Sequence, residues 1–259
     1  MSAEVLSPPD YVPGIPGINV YVERMPLRGG DRFESHAHQE HQVVWTASSS
    51  ILVAVGERTW VLPPTLGLWL PAGVEHATWA ARATAMRGVF VHPQIPSPWP
   101  EPTVVAVTPV VRELLELLSD VELVGPTRER AECLLLDLMR PVAVGAIRLP
   151  MPVDPRALEV ARYLEEHPFE SLGLEAWGRK VGASGRTLSR LFVDETGLTF
   201  SQWRTNVRMR VALIRLAAGD PITAIAFDAG YSAPSAFIAA FRRATGETPG
   251  KYFRHPAPR

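Results

Sequence analysis

The sequence predicts a multidomain α and β protein with an N-terminal β-barrel or sandwich, a helical connector and a C-terminal all-α domain that holds two helix-turn-helix units. Three observations carry this reading. Over residues 1–100, short alternating apolar runs are broken at close intervals by Pro and Gly, the pattern of an all-β fold. Over 101–153 the apolar spacing becomes helical. Over 154–259 a helix, a glycine turn and a second helix occur twice, on either side of one long helix. A chain of 259 residues has the material for two separate cores.

The first domain reads as strands at QVVW (42–45), ILVAV (51–55) and TWVL (59–62), with turn signals at 28–31, 56–57, 63–64 and 71–73. Trp45, Trp60, Trp69 and Trp79 are expected in its core. Five prolines between 93 and 102 close it. In the connector, PVVRELLELL (109–118) and TRERAECLLLDLMR (127–140) are helices by their apolar spacing. Val110, Leu114, Leu117 and Leu118, with Leu134, Leu135 and Leu138, suit either a homodimer or packing on the barrel, and both alternatives stay open. The single Cys133 excludes an intramolecular disulfide, and its apolar run suggests a buried core thiol. Residues 141–155, with four prolines, form a linker.

Asp154 then caps a helix with Pro155 at its first position, and Leu158, Ala161, Tyr163 and Leu164 form the apolar stripe. LGLEAWGRKV (172–181) leads to Gly182, and a second helix runs from about Gly185 to Glu195. Its Leu188, Leu191 and Phe192 fall on one face, and Arg186, Ser189 and Arg190 on the other. Arginine has the forked donors that pair with guanine in the major groove. Thr199 to Ala218 reads as one long helix burying Phe200, Trp203, Val207, Val211, Ile214 and Leu216. A short helix near Ile222, a turn at Gly230 and a helix opening at Ala233 or Pro234 repeat the pattern. No longer-period repeat is evident.

Charge separates the two halves. From Asp154 onward there are 15 Lys+Arg against 11 Asp+Glu, whereas the whole chain has a net charge of -1. A basic half masked by an acidic one is the expected footprint of a double-stranded DNA partner. No apolar run approaches the roughly 20 residues of a membrane helix. The opening MSAEVLSPPD is acidic and proline-bearing where a secretory signal is basic and then apolar, so no membrane association and a cytoplasmic location are expected.

RTLSRLFVDETG (186–197), the segment 222–232 and FIAAFRRATGETPGKYFR (237–254) resemble the AraC/XylS family of bacterial transcription regulators over about 100 residues. The resemblance implies operator DNA as partner, with RNA polymerase if the protein activates. It places Arg186, Ser189 and Arg190 toward bases in the first unit and Pro234, Ser235 and Ala239 in the second. The family commonly has Arg where Ala239 stands. Arg242, a turn further on, is expected to meet phosphate.

In the first domain, HxH at His36 and His38 and PxGxxH ending at His76 resemble the cupin fold, whose metal-binding members use such histidines as ligands. The carboxylate that usually follows falls at Gln42 or Val43. Glu40 and His41 are nearby substitutes. His36, His38, His41 and His76 are therefore the residues of an effector or metal pocket, and three readings stand: one divalent transition metal, a small-molecule sensor that requires no cofactor, or structural histidines. The leading function is a transcription regulator that answers to that ligand and is not an enzyme. The alternative is a cupin metalloenzyme of dioxygenase or isomerase type with a DNA-binding tail, although no nucleotide loop, triad or paired carboxylate favours it.

Overall fold

The computed structural model describes residues 5–6 and 19–253; residues 1–4, 7–18 and 254–259, including Arg254 of the family-like segment, lie outside the described residues. The chain falls into two compact units. One holds the residues up to Gly56, Trp60–Val144 and those from Gly250 onward; the other holds Glu57–Thr59 and Gly145–Pro249.

The first unit contains β1 (Val5–Leu6), β2 (Val20–Leu27), β3 (Arg32–His36), β4 (His41–Thr46), β5 (Ile51–Val55), most of β6 (Arg58–Leu62), β7 (Leu66–Leu70), β8 (His76–Ala80), β9 (Thr84–Val91) and β10 (Thr103–Ala106). The strands make two separate sheets, ordered β1-β3-β8-β5-β6 and β10-β7-β4-β9-β2. β1 is parallel to β3, and the second sheet is antiparallel throughout. Because β10 pairs with β7, the β fold continues past the proline-rich stretch at 93–102.

Helices α1 (Pro109–Leu118) and α2 (Pro126–Leu138) join this unit and do not stand apart as a connector. Thr108 caps α1 by accepting a hydrogen bond from the Val111 amide. Val111, Leu115 and Leu118 of α1, with Ala131 and Leu135 of α2, bury against Val43, Trp45, Trp69, Val89 and Val91 of the second sheet. The expected apolar set is thus divided. Leu118 and Leu135 are buried, Leu114 and Leu138 pack at the margin, and Val110, Leu117 and Leu134 are exposed.

The expectation of a buried Cys133 is corrected, since the thiol is exposed. The buried stripe of α2 is Arg128, Ala131, Glu132 and Leu135, so two of its inward positions are charged and the CLLL run faces largely outward. Arg128 is 1% exposed. Its Nε donates to Glu132 Oε1 at 3.0 Å, one terminal nitrogen to the carbonyls of Asp120 and Leu123, and the other to those of Val20 and Leu118. Glu132 Oε2 accepts from the backbone and side chain of Asn19. One guanidinium thereby joins both helices to the start of β2.

The second unit begins with β11 (Ile147–Arg148), which pairs antiparallel with Arg58 and Thr59. Its helices are α3 (Pro155–Glu166), α4 (Leu174–Val181), α5 (Gly185–Thr196), α6 (Phe200–Ala217), α7 (Ile222–Asp228) and α8 (Pro234–Thr245). A short α9 (Pro249–Tyr252) follows in the chain, and from Gly250 onward it is counted with the first unit. Asp154 caps α3 as expected, accepting from the Arg156 amide. The α3 stripe is Ala157, Val160, Ala161 and Leu164; Leu158 is only half-buried and Tyr163 is exposed. On α6, Phe200, Trp203 and Val207 are buried as expected, but further along the buried residues are Met209, Ala212 and Leu213 while Val211, Ile214 and Leu216 are half-buried. One helix supports two packing partners, so its inward face rotates along its length.

Removing one partner of a buried ion pair leaves the other charge uncompensated, a loss of about 3–5 kcal/mol. Arg128→Ala is expected to destabilise the first unit by that amount in urea unfolding, and Arg128→Met with Glu132→Leu to recover much of it. Equal losses in the single and double variants would show that Arg128 contributes by packing alone.

Candidate nucleic-acid interface and histidine cluster

The first helix-turn-helix unit is α4, a turn at Gly182 and α5. Gly182 has φ of +67°, a left-handed conformation that glycine adopts without steric penalty. The Ala183 amide donates to the Gly178 carbonyl at 2.8 Å. A Cβ on Gly178 would lie 2.4 Å from the Ala183 carbonyl oxygen, so the closeness of α4 to the turn requires glycine there. Ser184 caps α5 by accepting from the Thr187 amide.

The second unit, α7 and α8, repeats this construction. Gly230 has φ of +80°, and the Tyr231 amide donates to the Ala226 carbonyl at 3.0 Å. Leu188, Phe192, Thr196 and Gly197 of the first unit correspond to Phe237, Phe241, Thr245 and Gly246 of the second, all 49 residues apart. Thr196 Oγ1 donates to the Phe192 carbonyl, and Thr245 Oγ1 donates to that of Phe241. The recurrence of helix, turn and helix was already readable in the sequence; the structure adds the fixed 49-residue offset of its packing roles.

On α5, Arg186 and Arg190 are exposed and Ser189 is half-buried; on α8, Ser235, Ala239 and Arg242 are exposed and Pro234 is half-buried. The same offset sets Ser235 and Ala239 where the first unit has Arg186 and Arg190. Arg190 lies 4.0 Å from Asp194 in an exposed ion pair, worth little in water. Among the described residues, the side chains of Arg186 and Arg242 make no hydrogen bond or ion pair.

Several other arginines of the basic half are engaged internally. Arg204 and Arg208 donate to loop carbonyls between Pro168 and Leu172. Burial and the neighbouring Arg204 depress the Arg208 pKa. Arg215 pairs with Asp220 and Asp228, and Arg210 with Glu165.

The histidines of the first unit separate into two groups. His36 closes β3 and is the register partner of His76 at the start of β8, and His38 follows two residues later. Each offers a ring nitrogen, all within 4.8 Å of one another. Nδ1 of His36 meets the Glu34 carbonyl at 2.6 Å and Nδ1 of His76 meets that of Val74 at 3.0 Å. A carbonyl only accepts, so in the neutral rings each Nδ1 carries the proton and Nε2 keeps its lone pair. Burial, then the neighbouring His36 and His76, lowers the His38 pKa to about 4. Burial also brings His76 to about 4, outweighing its bond to Val74, with His36 adding to the shift.

His41 does not join the cluster. Its Nδ1 accepts from the Ala72 amide at 2.9 Å and its Nε2 meets the Ile95 carbonyl at 3.1 Å, so both nitrogens are engaged in holding loops. Glu40, considered as a substitute ligand, does not line the cavity beside the cluster. That cavity has a volume of about 10 Å³ and is bounded by the three histidines with Gln42, Met25 and Met86. Gln42 stood in the sequence at the position of the missing carboxylate. Met25 and Met86 gave no such signal, because their proximity comes from the β2–β9 register.

A helix-turn-helix domain family model matches residues 177–255. The HTH-type transcriptional regulator NimR of Escherichia coli is 29% identical over 220 residues, covering 84% of this chain and 81% of that protein. The HTH-type transcriptional regulator RipA of Corynebacterium glutamicum is 39% identical over 103 residues, covering 40% of this chain and 31% of that protein. Among solved structures, the C-terminal domain of AraT, a response regulator from Geobacillus stearothermophilus, is 30% identical with a TM-score of 0.37, covering 41% of this chain and 89% of that chain.

The Gly178 contact makes a direct test of the turn. Gly178→Ala forces the α4–α5 corner apart and is expected to destabilise the second unit by about 1–3 kcal/mol. Thermal unfolding followed by helical circular dichroism measures this, and an unchanged transition would show that the corner yields freely.

Proposed function

The chain is a helix-turn-helix transcription regulator of the AraC type, and from that premise we propose that it reads operator DNA with α5 and α8 while the first unit receives the signal, a small molecule or a metal ion, at the histidine cluster. The observation that carries the reading is the pair of helix-turn-helix units on either side of α6. An 18-residue helix spans about 27 Å at 1.5 Å per residue. Consecutive major grooves on one face of DNA lie about 34 Å apart, so two reading helices offset along such a spacer suit successive grooves.

Arg186, Ser189 and Arg190 read bases from α5. Pro234, Ser235 and Ala239 form the weaker reading surface of α8, and Arg242 meets phosphate. The proposal assigns no catalytic activity and a cytoplasmic location; no helix among the described residues is long and apolar enough to cross a membrane. Further partners are RNA polymerase, where the regulator activates, and a second copy of the chain, for which the exposed Val110, Leu117 and Leu134 supply apolar surface.

Random-site selection with the full chain is the direct test. A defined sequence should be enriched, with affinity falling steeply as salt rises. Arg190→Ala should relax preference in one half-site by about 1–3 kcal/mol of discrimination. Arg242→Ala should weaken all sequences alike and lower the salt slope by about one. Equal stringency in both half-sites would refute the asymmetry, and salt-sensitive binding without any preference would refute the regulator reading.

A further inference from the structure

Within the second unit, α5 and α8 are joined by more than α6. The main stretch of this unit begins at Gly145, whose amide donates to the carbonyl of Thr245, the last residue of α8, at 3.3 Å. Further along, the amides of Val153 and Asp154 both donate to Glu195 Oε2, at 2.7 and 3.0 Å. Glu195 lies in the last turn of α5. By the 49-residue offset, Glu195 and Thr196 correspond to Ala244 and Thr245. Residues 145–154 are therefore tied at their two ends to equivalent corners of the two helix-turn-helix units.

Between those ends the segment is held extended. Ile147 and Arg148 pair with Thr59 and Arg58, and the Leu149 amide donates to the Glu57 carbonyl at 2.9 Å. Pro150 and Pro152 fix their φ angles at a value that suits extended chain. From α6, Asn206 Nδ2 donates to the Arg148 carbonyl at 2.8 Å and Trp203 Nε1 to the Pro150 carbonyl at 2.7 Å. Numbers rise along the segment as they fall along α6, so the two run antiparallel. Leu149 is buried in the same cluster as Phe192 and Trp203, and Met151 packs against it. An extended chain from 145 to 153 reaches at most about 26–29 Å. That matches the roughly 27 Å of α6.

A helix fixes the distance between its own ends. It does not fix the angles at which α5 and α8 leave it, because it meets each of them through a turn. A second member of equal length, fastened to the corresponding corner of each unit, removes that freedom. The fastening at α5 is a carboxylate accepting from two amides, the charge-assisted and stronger kind of hydrogen bond.

We propose that residues 145–154 are a second strut beside α6, and that this strut, closed by Glu195, sets the separation of the two reading helices and with it the spacing of the half-sites the protein accepts. The spacing half of this proposal rests on the regulator reading above; the strut itself does not. Glu195 is a positioning residue here and touches no DNA.

The test uses the full chain and the selected operator, with its two half-sites moved together or apart by up to two base pairs. The parent should favour one spacing by about tenfold or more over sites two base pairs away, and Glu195→Ala should bring that ratio below about threefold. Glu195→Gln, whose amide oxygen still accepts, should keep most of the parent ratio. Two glycines inserted between Met151 and Pro152 should lower it as Glu195→Ala does. Base preference within the first half-site, read in the same assay, shows that α5 is folded in each variant. Loss of affinity by the same factor at every spacing would make Glu195 a stabilising residue only and overturn the proposal. An unchanged ratio in both Glu195→Ala and the insertion would overturn it as well. A second measurement needs no DNA. Nitroxide labels are placed at Asp194→Cys and Arg243→Cys, exposed positions related by the same offset, in a chain carrying Cys133→Ser because that thiol is exposed. Pulsed electron-electron resonance should give one narrow distance in the parent and a broader distribution with Glu195→Ala; equal widths overturn the strut. Binding by the parent without sequence preference refutes the regulator reading, and the label distances then decide the strut by themselves.

Discussion

The first unit depends on a charge placed where apolar residues would ordinarily sit. Arg128 is taken out of water and donates to one carboxylate and four backbone carbonyls. Those carbonyls come from the end of α1, the turn after it and the first residue of β2. A guanidinium has five donors in a fixed plane, so the elements that supply its acceptors are held at defined angles. The bond to Val20 sets the start of β2, and β2 runs from there in register with β9 until Met25 lies opposite Met86. Placement of one wall of the small cavity therefore traces back to a side chain at the far end of the same strand.

This dependence explains which parts of the fold were legible in the sequence. Helix existence was readable because capping and periodicity are local: Asp154, read as a cap from its place before Pro155, accepts from the Arg156 amide just inside α3. The inward face of α2 was not readable. A pattern search takes CLLL as core, but the stripe actually buried contains Arg128 and Glu132, each tolerable only because of the other. The drift of the buried face along α6 has a related origin, since a single apolar stripe presupposes a single partner.

The candidate sites divide in the same way. HxH and PxGxxH marked His36, His38 and His76, which the β3–β8 pairing brings together. The motif could not separate them from His41, because the difference lies in hydrogen bonds to Ala72 and Ile95, residues 31 and 54 positions away. For the reading helices, exposure of Arg186 and Arg190 followed from periodicity alone. The 49-residue correspondence with α8 became visible only through shared roles, such as the paired bonds from Thr196 and Thr245 to the preceding helical turn.

That correspondence changes what the basic excess of the second half means. Counted as charge, 15 Lys+Arg against 11 Asp+Glu describe a mildly cationic half with no preferred face. Counted as available donors, the distribution is uneven. Arg204, Arg208, Arg210 and Arg215 are committed to carbonyls and carboxylates around α6, where they brace the spacer between the two units. Arg186 and Arg242, one on each reading helix, make no such bond among the described residues, and the ion pair of Arg190 is long and exposed. Released to an incoming phosphate or base edge, these donors lose no internal partner. The structural arginines would each leave carbonyls or carboxylates unsatisfied. The energetic cost of turning toward a ligand is thus lowest at the helices whose geometry fits a groove, and electrostatics and shape select the same surface.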